Sequence, residues 1–344
     1  MREGWEYKKF ENCIVKSPKL KQVKKEAYNN GSQYPIISQE EKFISGYCDD
    51  ESMVCHIDRP IVVFGDHTRV LKYIDFDFVV GADGVKVIIP IKSIDSKFLL
   101  YFLQWYNIPN LGYSRHYKLL KDVMVPIPNC TTQQTIISEL DKLNKLIQIK
   151  KEQLKDYDAL AQSIFYEMFG DPVVNEKGWE VKKFGDLFKL KSGDGLSSKD
   201  FKTGIYPVYG GNGISGYHNS FNMKGCYIII GRVGVYCGNV RKVEGEFWLT
   251  DNAFRLIYKE NEQNPFFILY LLNILDLHQY ANAAAQPVIS NLTLKSINVP
   301  LPPLSLQQSF AHKIEQIERQ KAEVQKTITD LETLLAARIQ YWFD

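Results

Sequence analysis

The sequence predicts an α+β protein with two similar mixed α/β domains. Two long helices separate the domains and pair as an antiparallel coiled coil, giving pseudo-twofold, circular symmetry. The first observation behind this prediction is a repeat: GWEYKKF at 4–10 returns as GWEVKKF at 178–184, 174 positions later in a chain of 344 residues. The second is that short β-branched segments follow each copy, and the third is that each copy ends in a sustained apolar heptad pattern.

The repeat divides the chain into five segments. VPIP at 125–128 returns as VPLP at 299–302, and Phe169 returns as Phe343, both at the same offset of 174. The predicted segments are a first domain at 1–130, a first helix at 131–169, a linker at 170–177, a second domain at 178–304 and a second helix at 305–344. A chain of this length suits two domains of about 150 residues each.

Short strands fill the middle of each domain. Runs of β-branched residues stand between Gly, Asp and Asn turn signals. They are IVVF at 61–64, FVV at 78–80, VKVIIP at 85–90, CYIII at 226–230 and AFRLIY at 253–258. One apolar helix, at about 97–105 or 265–275, closes each domain.

Each long helix carries one apolar stripe in alternating steps of four and three residues. The stripe residues predicted to form the helix-pair interface are Ile136, Leu140, Leu143, Ile147, Leu154 and Ile164 in the first helix, and Phe310, Ile314, Ile317, Val324, Ile328, Leu331 and Leu335 in the second. Capping boxes, Thr131 with Gln134 and Ser305 with Gln308, are predicted to open the two helices.

A lone helix of this kind would expose its apolar stripe to water, so each needs a partner. The other copy in the same chain is the favoured partner, although heptads can also join two separate chains. Lys150 and Lys321 face the stripes; they either fix the register or simply extend their ammonium groups to water. The circular arrangement places the carboxyl end near Met1.

Composition limits the classes of function. The net charge is +2, which gives no global cationic field towards nucleic acid or a membrane. Six cysteines without CxxC spacing fit free thiols in a reducing cytoplasm. Cys55 beside His56 lacks two further spaced ligands, so no metal site is expected. The longest apolar run, 266–277, is too short to span a bilayer, so no membrane contact is expected either.

Two similar domains of opposite polarity at a fixed spacing suit two half-sites on one DNA duplex, which recur about every 34–36 Å. Loops rich in hydrogen-bonding side chains would read them, with Arg and Lys for guanine and Asn or Gln for adenine.

Four stretches of the sequence carry a resemblance. FGDHTRVLKYIDFDFVVGADGVKVI at 64–88 resembles one type of target recognition domain in the specificity subunit of type I restriction-modification enzymes. YPVYGGNGISGYHN at 206–219, together with IIIGRVGVYCGNV at 228–240 and WLTDNAFRL at 248–256, resembles another type from the same family. The resemblance covers nearly the whole chain, and its specificity comes from the order, duplication and spacing of the motifs.

The resemblance implies a non-catalytic reader of double-stranded DNA. Each domain would read one half of a bipartite target, and the helices would set the gap between the halves. Two methyltransferase subunits would dock on the helices and methylate adenine N6 with S-adenosylmethionine. Two restriction subunits would add ATP- and Mg-dependent translocation and cleavage. This chain would hold no cofactor, and the sequence leaves open both the target and the existence of a restriction subunit.

The residues proposed to bind DNA are polar and lie beside the predicted strands. They are Asp66, His67, Thr68, Arg69, Asp83 and Lys86 in the first domain, and Tyr209, Asn212, Tyr217, His218, Arg232, Asn239, Asp251 and Asn252 in the second. Arg69 and Arg232 are the favoured bidentate base readers. The structural alternative is that Asp66 and Asp251 cap turns and that His67 packs within its loop.

Two other classes of protein, an enzyme and a coiled-coil adaptor, are the alternatives to a DNA reader. An enzyme would need a catalytic motif, and neither a Gly-rich cofactor loop, a Walker loop nor an amino-methyltransferase tetrapeptide is present. A coiled-coil adaptor that reads no DNA is the alternative function. The two domains share their flanking motifs and long helices but differ in their middle segments, which favours two different ligands.

Overall fold

The structure of the protein is a computed structural model that describes residues 2–16, 20–31, 33–112, 114–259, 263–282 and 286–344. The chain folds into two compact units, Met1–Lys151 with Lys326–Asp344, and Glu152–Gln325. Each unit therefore combines one mixed domain with part of both long helices. The predicted fold class, with tandem mixed domains and two long helices, is confirmed.

The first unit is built from short strands and one domain helix. Its strands are β1 (Glu6–Lys9), β2 (Ile14–Val15), β3 (Gln22–Val23), β4 (Tyr34–Ile37), β5 (Gly46–Cys48), β6 (Val54–Cys55), β7 (Ile61–Gly65), β8 (Leu71–Ile74), β9 (Phe78–Gly81), β10 (Val85–Pro90) and β11 (Met124–Ile127). Helix α1 (Ser96–Tyr106) precedes the long helix α2 (Cys130–Phe169), which starts in this unit.

The two larger sheets of this unit run in the orders β2-β10-β7-β8 and β3-β9-β4-β5, with β6 beside β9. The predicted strands at 61–64, 78–80 and 85–90 are confirmed as β7, β9 and β10. Helix α1 buries Phe98, Leu99 and Phe102 in one core with Phe64 and Ile88. Burial of such side chains is the main favourable term in folding.

The second unit follows the same plan with a different middle. Its elements are β12 (Glu180–Lys183), α3 (Phe184–Leu187), β13 (Phe188–Ser192), β14 (Tyr206–Gly210), β15 (Gly213–His218), β16 (Met223–Gly231), β17 (Val240–Leu249), β18 (Ala253–Tyr258), α4 (Pro265–Ile274), α5 (Asn291–Leu294), β19 (Asn298–Leu301) and the long helix α6 (Leu304–Phe343), which ends in the first unit. One sheet runs in the order β13-β18-β16-β17-β14-β15. The strands predicted at 226–230 and 253–258 are confirmed as parts of β16 and β18.

The repeated GWE and VP motifs pair with each other. In the first unit β1 lies antiparallel to β11, with Tyr7 opposite Pro126. In the second unit β12 lies antiparallel to β19, with Val181 opposite Pro300. The repeat therefore encodes one two-stranded ladder per unit, which joins the start of each domain to the residues just before a long helix.

The two long helices run antiparallel within the first unit. Arg338 and Trp342 on α6 both bond Glu139 on α2, with Trp342 Nε1 donating to Oε2 at 2.9 Å. Farther along, Lys151 Nζ lies 2.8 Å from Glu332 Oε1. The hydrogen bond from Arg338 holds the pKa of the Glu139 carboxyl below its usual value.

The helices are also antiparallel within the second unit. The Phe310 ring lies 5.6 Å from Phe165, and Lys321 Nζ lies 2.8 Å from Asp158 Oδ1. Burial lowers the pKa of Lys321, but the hydrogen bonds that its ammonium donates to Asp158 and Glu318 outweigh burial, so the pKa is raised overall.

All the stripe residues predicted for the helix-pair interface are buried or half-buried. The half-buried ones are Leu143, Leu154, Ile164, Leu331 and Leu335. The buried ones are Ile136, Leu140, Ile147, Phe310, Ile314, Ile317, Val324 and Ile328.

The carboxyl-terminal end of each long helix packs on the domain helix of the unit in which that long helix ends. Phe343 lies 5.5 Å from Phe98 in the first unit, and Phe169 lies 5.0 Å from Phe267 in the second, measured between ring centroids. The guanidinium of Arg2 lies 4.8 Å from the Tyr341 ring, so the end of α6 lies beside residue 2. Met1, for which this neighbourhood was expected, lies outside the described residues.

The predicted capping boxes are wrong, because each helix begins one residue earlier than predicted. Asn129 caps α2, its Oδ1 accepting from Thr132 N at 2.8 Å. Thr131 with Gln134, and Ser305 with Gln308, therefore lie inside the helices.

The neighbouring glutamines have the structural role. Buried Gln133 accepts a hydrogen bond from Asp95 N at 2.8 Å, and buried Gln307 accepts one from Asn264 N at 3.1 Å. Asp95 and Asn264 cap α1 and α4. The same side chain thus links the long helix to the domain helix in both units.

Candidate nucleic-acid interface

A cleft of about 500 Å³ lies at one end of the first-unit sheets, beside the ends of β7 and β9. The loop after β7 and the turn before β10 meet there, because Asp66 N donates to Gly84 O at 2.6 Å. The residues lining the cleft include His67, Asp83 and Lys86. The structure therefore brings most of the predicted first-domain residues together.

Gln39, which the sequence did not single out, holds the cleft in shape. Its Nε2 donates to Asp83 O at 2.8 Å, and its Oε1 accepts from His67 N at 3.1 Å. Its backbone carbonyl accepts from Thr68 Oγ1 at 2.6 Å. Gln39 therefore positions both loops, and its amide is already occupied.

The placement of Asp66 among base-reading residues is corrected by its burial. Its Oδ1 accepts from Tyr117 N at 2.8 Å, and its carbonyl accepts from His116 N at 2.8 Å. Lys86 Nζ lies 3.8 Å from its second oxygen. Asp66 is buried and fixes the segment around residue 116, which is the turn-capping alternative in a stronger form.

Arg69 is also more constrained than predicted. Its backbone adopts φ 64°, and its Nη1 donates to Ile108 O at 2.8 Å. The half-buried guanidinium thus supports the segment after α1, which leaves fewer of its donors for a base.

Two exposed cleft residues were missed by sequence reasoning. Arg115 and Gln22 line the cleft with Asp83 and Lys86, and both are exposed. The available signal was the basic and aromatic stretch SRHYK at 114–118. It was overlooked because it is far along the chain from the other cleft residues, the nearest of which, Lys86, precedes Arg115 by 29 positions.

Several loops meet at one end of the second unit. Thr250 N donates to Tyr209 O, and Arg232 N donates to Asn252 O, both at 2.9 Å. A Cβ on Gly211 would stand 2.4 Å from Val233 O, so only glycine allows this approach. We refer to residues 209–213, 231–239 and 250–253 as the loop cluster.

The loop cluster presents most of the predicted second-domain residues. Arg232 stacks over the Phe254 ring at 5.3 Å, and its Nη1 donates to Ser192 Oγ at 3.4 Å. Burial against Phe247 raises the pKa of Tyr209. Asn239 is half-buried, whereas Asn212, Asp251 and Asn252 are exposed, as is Tyr217 on β15.

His218 is a packed residue and not an exposed reader. It is buried, its Nδ1 accepts from Lys202 N at 3.0 Å, and its ring lies edge-on to Trp248. The structure therefore gives His218 a packing role, and its contact with DNA stays a prediction.

A larger open cavity of about 1340 Å³ adjoins the loop cluster within the second unit. Arg241 and Lys242 line it together with Glu244, so both signs of charge are present. Arg241 Nη2 donates to Asn212 O at 3.4 Å, which makes Arg241 a further residue near the loop cluster that sequence reasoning missed.

The described residues give no sign of a metal site or a membrane span. Within the described ranges, no group of three or more His, Cys, Asp and Glu side chains is arranged to hold a metal ion. No helix in that part of the chain is long and apolar enough to cross a membrane. All six cysteines are free.

Comparison with known proteins finds the same tandem repeat in this chain. The family model for the type I restriction modification DNA specificity domain matches residues 2–156 and again residues 176–333. The chain is 25% identical over 225 residues to the specificity subunit of the type I restriction enzyme EcoprrI of Escherichia coli, covering 60% of this chain and 56% of that protein. It is 30% identical over 141 residues to the MjaIX specificity subunit of Methanocaldococcus jannaschii, covering 34% and 33%. These alignments span about half or less of the relatives' lengths.

A solved structure shares the fold. The crystal structure of the type I restriction-modification S subunit from M. genitalium matches with a TM-score of 0.61 at 16% identity, covering 99% of this chain and 96% of that one. At this identity, the likeness concerns the fold alone.

Proposed function

Because the chain belongs to the family of DNA specificity subunits of type I restriction-modification systems, we propose that it reads a bipartite DNA sequence. Each unit reads one half of the target, and the two long helices set the gap between the halves. The chain itself is non-catalytic. Chemistry comes from partner subunits that bind S-adenosylmethionine and, where a restriction subunit is present, ATP and Mg. We expect the complex to act in the cytoplasm.

The observation that carries this proposal is the contrast between a repeated frame and two different polar ends. Both units share the same strand ladder, the same buried glutamine and the same helix-end phenylalanine. The polar groups at their ends differ: one unit presents exposed Arg115 and half-buried Lys86, the other half-buried Arg232 with exposed Asn212 and Asn252. A common frame with different donors and acceptors is what two different half-sites require.

Arg115 and Arg232 are the proposed guanine readers, one in each unit. A bidentate arginine contact is worth about 1–3 kcal/mol of discrimination against a wrong base. Arg115 is exposed at the cleft, and the Phe254 ring orients Arg232 before DNA arrives. Since Arg69 is bonded to Ile108, we place it second to Arg115 in the first unit.

We expect Arg115→Ala to relax the first half of the methylated sequence only, and Arg232→Ala to relax the second half only. The measurement is sequencing of N6-methyladenine in the DNA of cells that express each variant with the methyltransferase subunit. Each variant is the control for the other. Equal weakening over both halves would instead assign the arginine to phosphate contact or folding, and would contradict base reading by that residue.

The helix pair is the proposed docking surface for the methyltransferase subunits. Off the paired stripe, α2 exposes Leu146 and Ile149, and α6 exposes Leu334. Leu334 and Leu143 line a groove of about 650 Å³ within the first unit. Apolar side chains that stay exposed on a paired helix suit helices of a partner protein.

Leu334→Glu is expected to abolish co-purification of one methyltransferase subunit, because a buried carboxylate opposes docking. Leu304→Glu is the matched control, since both leucines lie on α6 and both are 46% exposed. The control substitution adds an acidic residue to the first turn of the helix, where it is favourable. Unchanged assembly in Leu334→Glu would remove this groove from the docking surface.

A further inference from the structure

An apolar tip projects from the loop cluster, and neither the family match nor the polar residues above explain it. Val235 is 75% exposed and Tyr236 is 53% exposed, side by side between β16 and β17. Every large apolar side chain left in water forgoes favourable burial. Because the proposed function places this end of the unit against DNA, the tip has a natural apolar partner there.

The tip is held rigidly, so its exposure is not due to a loose loop. Gly234 N donates to Pro287 O at 2.9 Å, and Gly238 N donates to Gly231 O at 2.8 Å. Between them, Cys237 is buried, and its carbonyl lies 2.9 Å from His278 Nδ1. Hydrogen bonds on both sides of the tip therefore fix its direction.

The rim of the tip is polar. Arg232 precedes it and Asn239 follows it, and Asn252 accepts the backbone N–H of Arg232 at 2.9 Å. In the major groove, thymine alone among the four bases presents a methyl group, and it stands among hydrogen-bond donors and acceptors. An apolar tip inside a polar rim matches that pattern.

We infer that Val235 and Tyr236 contact the C5-methyl group of one thymine in the second half-site, through the major groove. The inference rests on the proposed function and adds a base identity to it: one base pair read by the second unit is A·T. The inference places the tip in the reading surface of the second unit.

The experiment replaces single thymines by uracil, which removes only the C5-methyl group. The full chain, assembled with its methyltransferase subunits, is titrated with DNA duplexes. Each duplex carries the target sequence that the complex methylates, with one thymine replaced by uracil. At one position in the second half-site, binding should weaken about fourfold, the change expected for one buried methyl group. Uracil in the first half-site should have no effect of this kind.

The variants Val235→Ala and Tyr236→Ala, singly and together, test which residues make the contact. The double variant should bind the thymine and uracil duplexes with equal affinity. That affinity should be about the one the unaltered protein has for the uracil duplex. Val173→Ala is the matched control, because Val173 is 71% exposed but lies in the linker. It should keep the full thymine preference. Since the altered side chains are exposed, thermal unfolding should be unchanged in all variants.

Two results would overturn the inference: no position sensitive to uracil in the second half-site, or a sensitive position whose preference survives in the double variant. Both leave DNA reading itself intact. Loss of binding to every duplex by the unaltered complex would instead reject the proposed function, so the two failures are distinguishable.

Discussion

Replacing residues 1–130 with the corresponding domain of another specificity subunit is expected to change one half of the methylated sequence completely and to leave the other half unchanged. The first unit holds its own sheets and its own cleft, so the replaced segment carries its reading surface with it. Target identity should change by the whole of one half-site, a larger effect than any single substitution gives.

The junction for this replacement is set by packing. Ile136, Leu140 and Phe343 on the long helices belong to the same core as Phe98 and Phe102 of α1. The incoming domain must therefore present apolar residues at the two α1 positions, or the core would contain a cavity. Methyladenine sequencing of the host DNA is the measurement. A change in both halves would contradict the assignment of one half-site to each unit.

Inserting seven residues into each long helix is expected to lengthen the gap between the half-sites by about three base pairs. Seven helical residues add about 10.5 Å at 1.5 Å per residue, and each base pair occupies about 3.4 Å. One heptad keeps the apolar stripe in phase. The insertions belong after Lys151 and after Gln325, where the two units divide.

The control is the same insertion in one helix only, which shifts α2 against α6. It should break pairs such as Lys151 with Glu332 or Lys321 with Asp158, and should reduce methylation at all sites. Methylated targets from the doubly lengthened protein report the gap directly. An unchanged gap would contradict the role of the helices as a spacer.

The frame of this protein could be predicted because its signals are local and duplicated. The strands at 61–64, 85–90 and 253–258 are β-branched runs, which fit a half-buried pleated surface. The heptad stripe marked the long helices, and the start of α2 was misplaced by one residue because Asn129 competes with Thr131 as a cap. Such errors at helix ends are expected when several residues can cap.

The candidate site was harder to predict, because polarity does not reveal burial. Asp66 and His218 look like exposed readers in sequence, but both are buried and each accepts a backbone N–H from another segment. Gln39 and Arg115 are brought to the first cleft by the tertiary fold, because they lie far along the chain from the other cleft residues and no local sequence pattern indicates this position. Val235 and Tyr236 were missed for the opposite reason, since apolar residues between glycines resemble a buried strand end.

The central claim is that one chain reads two half-sites, and the direct measurement is N6-methyladenine sequencing of DNA from cells that express this chain with a methyltransferase partner. The account predicts one bipartite motif, with methylated adenine in both halves and a gap of fixed length and free sequence. A continuous motif, or a methylation pattern that does not depend on this chain, would contradict it, and the second result would favour a coiled-coil adaptor.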